Sequence, residues 1–150
     1  MHVFLLYTGL LALSVVGCGG SLEAQSGPDA YRDQAAPAIL NAWVPDAISR
    51  SEEDATDWKS FQVSTETPVT IQVKFGDPAV AARVSLHDIH GIPVAAKNKR
   101  KGDPAALLLA GTVPAGLNFI QIHCTGGSDA SEYAIQIALG DSSGTPPRPF

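Results

Sequence analysis

The sequence predicts an all-β fold, a single antiparallel β-sandwich, jelly-roll-like, behind a flexible tether. Three observations predict it. Apolar residues recur at every second position in short runs, the period of a half-buried strand. Turn residues punctuate those runs at close intervals. After residue 45 no helical apolar period competes over a useful length.

The runs follow one another along the chain. Phe61 and Val63 alternate with Ser60 and Gln62. Val69, Ile71, Val73 and Phe75 alternate with Thr70, Gln72 and Lys74. Val84 and Leu86 lie between Arg83, Ser85 and His87, and Ile92, Val94 and Ala96 follow the turn at His90-Gly91. Leu107 to Ala110 is a compact apolar run. Ile120, Ile122 and Cys124 form one row, and Tyr133, Ile135, Ile137 and Leu139 form the last. Gly76-Asp77-Pro78, Gly102-Asp103-Pro104, Pro114-Ala115-Gly116 and Gly126-Gly127-Ser128 separate them, supplying the backbone freedom and pre-set φ that turns need. The expected sandwich spans residues 45–139.

The chain opens on a different chemistry. The apolar run from Val3 to Val16 is shorter than the ~20 residues of a membrane-spanning helix and suits a secretory signal. Met1-His2-Val3 carries no Lys or Arg, so the positive end falls to the α-amino group, alone or with His2, or to an upstream start codon. Val15-Val16-Gly17-Cys18 resembles the lipobox of bacterial lipoproteins. The resemblance implies a signal peptide over 1–17 and a Cys18 carrying three acyl chains, a firm membrane anchor where one chain is marginal. Gly19, in place of an Asp, implies the outer membrane of a diderm cell envelope. Residues 18–44 are expected to be lipidated Cys and tether, and residues 140–150, rich in Ser, Gly and Pro, a disordered tail.

Composition limits the function classes. At 45% hydrophobic and 17% charged the chain can build a packed core, and a net charge of −5 argues against a nucleic-acid partner. With Cys18 acylated, Cys124 has no intramolecular disulfide partner. Its parity with Ile120 and Ile122 turns it inward as a small hydrophobe.

Five segments in order carry a family pattern: Asp57-Trp58-Lys59-Ser60-Phe61-Gln62-Val63, Val69-Thr70-Ile71-Gln72-Val73, the stretch from Val84 to Ala95, the stretch from Val113 to Ile122, and Ser131-Glu132-Tyr133-Ala134-Ile135-Gln136-Ile137. Together, over about 45–139, they resemble the bacterial pre-peptidase C-terminal domain. The resemblance implies a jelly-roll-like sandwich, seldom catalytic, that serves as an accessory, targeting or binding module. Some members bind calcium or extracellular polymers. Two departures stand out: Gly116-Leu117-Asn118 replaces a Gly-small-Tyr pattern, and the stretch from Pro78 to Arg83 replaces an acidic one.

No phosphate loop and no His-Glu-x-x-His motif is present. Four groupings carry other chemistry. Glu52, Glu53, Asp54 and Asp57 precede the first clear strand and offer several of the oxygens calcium needs. Lys97, Lys99, Arg100 and Lys101 are expected on a connection between strands, where a basic tip attracts an anionic polymer or acidic envelope protein. His87, Asp88 and His90 with His123 and Cys124 hold soft and borderline ligands, but strand geometry points neighbours to opposite faces. The fourth grouping is Cys18 itself. The expected function is therefore a lipid-anchored, non-catalytic binding or accessory module for an envelope or surface partner, with the membrane met only through its lipid and no cofactor beyond possible calcium. The alternatives are a calcium-responsive module using the acidic turn, and a small hydrolase with an unrecognised site.

Overall fold

The computed structural model describes residues 29–140. Cys18, the signal segment, the first part of the tether and the tail from 141 lie outside the described residues. Among the described residues nine strands form two packed sheets, with only short 3-10 turns besides, so the all-β sandwich holds. The strands are β1 (Ala36–Pro37), β2 (Trp43–Ser49), β3 (Thr56–Val63), β4 (Thr67–Phe75), β5 (Ala82–His87), β6 (Pro93–Lys99), β7 (Ala106–Val113), β8 (Gly116–Cys124) and β9 (Ala130–Leu139). The first sheet has the order β1-β3-β8-β5-β6 and the second β2-β9-β4-β7. Every pairing is antiparallel except β1 with β3.

The period-two rows become the two inner faces. Ile71, Val73, Ile135 and Ile137 of the second sheet meet Val84, Leu86, Ile120 and Ile122 of the first, all fully buried. Cys124 ends the β8 row inside the core, as its parity predicts. Burying such branched side chains contributes about 1.5–3 kcal/mol each, which is what holds the two sheets face to face.

The domain starts earlier than residue 45. Residues 29–38 run as a strap along the free edge of β3. Trp58 N–H donates to Asp29 O at 2.8 Å and Ala38 N–H to Ser60 O at 2.8 Å. The strap is held by backbone bonds and a few anchors, so it has no alternating pattern to reveal it. It also reaches the β5–β6 turn. The Arg32 guanidinium lies over Gly91, whose φ of +81 is the left-handed conformation that favours glycine at that turn. β2 begins at Trp43, inside the expected tether. It is an edge strand paired only with β9, a place where Pro45 is tolerated. β6 runs on to Lys99, past the expected end of the 92–96 run.

Candidate functional site

The outer face of the first sheet gathers most of the exposed polar and aromatic chemistry. On β3 and β8 the outward residues are Thr56 and Trp58, Gln121 and His123, with Trp58 opposite Gln121 and Thr56 opposite His123. The strap lays Ala30, Tyr31 and Arg32 beside them, closing a cleft of about 330 Å³. Thr56 Oγ1 and His123 Nδ1 share a hydrogen bond of 2.8 Å. Arg32 is held in place over the Phe119 ring, 5.6 Å from its centroid. Phe119, outward on β8, is thereby covered. The cleft thus offers two rings, a planar amide, an imidazole and a cation, the mix that fixes a ligand by stacking and directional hydrogen bonds.

A Ser–His pair lies on the same face. Ser85 Oγ and His87 Nε2 are 2.9 Å apart, and His87 Nδ1 is 3.2 Å from Gly91 O. A carbonyl only accepts, so Nδ1 carries a proton, while Ser85 Oγ also donates to Gln121 Oε1 at 3.4 Å. A Ser–His contact of this length is one part of an activated hydroxyl. Ser85 is nevertheless 2% exposed, and Trp58 packs on His87 with ring centroids 5.1 Å apart. No substrate atom reaches the hydroxyl in this arrangement.

A second polar centre lies inside, where the β2 edge of the second sheet meets β3 and the strap. Lys59 points inward from β3 and is 2% exposed. Its ammonium donates to Asp29 of the strap and to Asp46 of β2. Asp57, also inward on β3, accepts a 2.6 Å hydrogen bond from Tyr133 Oη of β9. One oxygen from each of Asp29, Asp46 and Asp57 lies within 4.8 Å of the others. Burial pushes the Asp57 carboxyl up to about 7, against the Tyr133 hydrogen bond and the Lys59 charge. For Lys59, burial works to lower the pKa, but bonds to Asp29 and Asp46 outweigh it and leave it above its ordinary value. Burial and the Asp57 charge raise Tyr133 well above a normal phenol.

The structure disperses the residues singled out in sequence. Of the acidic set, Asp57 belongs to the Lys59 centre. Glu52 ends the short 3-10 turn Arg50–Glu52, Glu53 follows it with φ 66, and Asp54 bridges back to Ser49 through its backbone. Among the described residues, the one group of three or more possible ligands close enough to hold a metal is Asp29, Asp46 and Asp57, and the Lys59 ammonium already bonds two of them.

The basic set is split: Lys97 and Lys99 belong to β6, and Arg100 and Lys101 lie on the connection to β7. Lys97 and Lys99 share one face of β6. Lys97 Nζ donates to Leu108 O at 3.2 Å across the closed edge of the sandwich. Lys99 is 2% exposed and donates to Val80 O at 3.0 Å and to Pro78 O at 2.5 Å, with the Phe75 ring 6.0 Å away. Lys101 pairs with Asp129 at 2.6 Å, which holds that carboxyl below its usual range. Arg100 is exposed.

His90 is exposed in the turn and lies apart from the outer-face pair of His87 and His123. Cys124 Sγ faces Asp129 O at 3.3 Å, and burial pushes its thiol up.

Sequence reasoning passed over Lys59, Asp29, Asp46, Tyr31 and the cleft. One signal was present: Lys59 has the same parity as Phe61 and Val63, and an inward lysine in a strand demands buried partners.

No family model matches the sequence, and no curated protein matches it. The fold does match solved structures. The pre-peptidase C-terminal domain of a collagenase from Bacillus anthracis superposes with TM-score 0.57 at 15% identity, over 69% of this chain and 93% of that one. A periplasmic inhibitor of g-type lysozyme from Aeromonas hydrophila gives TM-score 0.48 at 13% identity, over 70% of this chain and 95% of its own. The first likeness establishes a pre-peptidase C-terminal type of fold.

Proposed function

We propose that this protein is a lipid-anchored cell-envelope lipoprotein whose sandwich acts as a non-catalytic binding module, with the cleft between strap and first sheet as its ligand face. The observation that carries the reading is the cleft's composition: Tyr31 and Trp58 beside Gln121, His123 and Arg32. Rings stack on sugar faces, the amide and imidazole bond hydroxyls, and Arg32 favours an acidic group. An anionic, hydroxyl-rich envelope polymer fits that chemistry. Lys97 and Arg100, both exposed, add local positive field that steers such a polymer on an otherwise acidic protein. The anchor rests on the lipobox ending at Cys18.

Two measurements test the reading. Cys18→Ser should move the protein from the membrane to the soluble fraction. Binding of that soluble variant to isolated envelope polysaccharide should fall about tenfold with Tyr31→Ala or Trp58→Ala, a loss of about 1.4 kcal/mol. It should also weaken as salt is raised. Wild-type affinity in both cleft variants would remove the cleft as the ligand face.

A further inference from the structure

We propose that Lys59 and Asp29 condense to an intramolecular isopeptide bond that fastens the strap covalently to β3. The two groups are already in contact, both side chains are desolvated at 2% and 10% exposure, and a third carboxyl, Asp57, stands beside them. Asp46, at 40% exposure, keeps contact with water.

The chemistry balances without any outside reagent. In the ion pair the ammonium of Lys59 passes one proton to Asp29, giving a neutral amine and a neutral carboxylic acid. The amine lone pair attacks Asp29 Cγ and forms the N–C bond. Asp57, as the acid, delivers its proton to the departing hydroxyl, which leaves as water when the C–O bond breaks. The Asp57 carboxylate then takes a proton from the nitrogen and is restored. The net change is one ammonium and one carboxylate to one amide and one water. Asp46 is placed to accept from the new amide N–H.

Burial supplies both the direction and the catalyst. A buried ion pair bears a desolvation cost that a neutral amide escapes, and the water formed is released to bulk solvent. Burial also keeps Asp57 protonated up to about pH 7, the form the step requires, and Tyr133 holds it in position. Lys99 makes the control. It is equally buried, yet it meets backbone carbonyls, which cannot condense with an amine in this way.

Peptide mapping of the purified full chain reads the bond directly. The wild type should yield a branched peptide joining the Asp29 and Lys59 segments, one water lighter than their sum, with no tryptic cut after Lys59. Asp29→Ala and Lys59→Arg should abolish the branch. Asp57→Ala, checked for a native far-ultraviolet spectrum, should leave the two segments separate. Should the variants fail to fold, the wild-type map alone decides. Unbranched peptides with full cleavage after Lys59, or a branch to Asp46 in place of Asp29, would overturn the proposal.

Discussion

Lys59 and Lys99 are equally buried and differ in everything around them. Lys99 sits on edge strand β6 and gives its protons to main-chain carbonyls at one side of the sandwich. Lys59 sits on β3 and faces three carboxyl groups where the opposite side would otherwise open. Carbonyl dipoles satisfy a cation and leave it there, as an inward charge that also discourages edge-to-edge pairing. Carboxyl groups add protons to exchange, a charge surplus and a pH dependence. The same residue type therefore serves as an edge plug at one side and as a reactive centre at the other.

The largest effect that tests this contrast is Lys59→Ala. It removes the side chain that ties the strap's Asp29 to β3, leaves Asp57 without its buried neighbour, and should cost about 3–5 kcal/mol in denaturant unfolding. A cost no greater than that of an ordinary surface change would dissolve the distinction.

The pH response comes next. Asp57 titrates near 3.8 when exposed and near 7 when folded, so the folded chain holds a proton that the unfolded chain has lost between those values. Its contribution is whole below pH 3.8 and is lost as the pH rises to about 7, at up to about 1.4 kcal/mol per pH unit. Asp57→Asn keeps an acceptor for Tyr133 and should flatten that slope in melts taken from pH 4 to 8. An unchanged slope would place the titrating group elsewhere.

Lys99→Met retains the stem but strands the Val80 and Pro78 carbonyls, so it should cost about 1–3 kcal/mol with no new pH dependence. A pH-dependent loss would make the two lysines alike after all. Lys101→Ser is the smallest change. It removes the exposed lysine that pairs with Asp129 and should shift the melting temperature least of the four changes, a contribution that high salt should reduce in the wild type.

How much of this was legible depended on which forces built each part. The two inner faces followed from parity alone, because Ile71, Ile122 and Ile135 are packed by side-chain alternation. The inward turn of Cys124 followed for the same reason. The strap and β2 escaped because they are held by backbone bonds and edge placement, with Pro45 reading as a break. The Lys59 centre escaped because Asp29, Asp46 and Asp57 come from three separate elements. Runs of like charge at 52–54 and 97–101 were easy to see, but their placement was not, for one reason. Spacing along the chain does not say that Lys99 turns in while Arg100 turns out.

Of the seven pairings in the two sheets, one joins strands adjacent in sequence, β5 with β6. β2 waits for β9, and β3 waits for β8. A growing chain therefore gains little by organising early, because β2 lacks its neighbour, and β3 its main one, until β9 and β8 are made. Pairings of such long sequence separation also form slowly. The consequence is temporal. The sandwich closes only when β8 and β9 arrive, so its completion belongs to the end of synthesis.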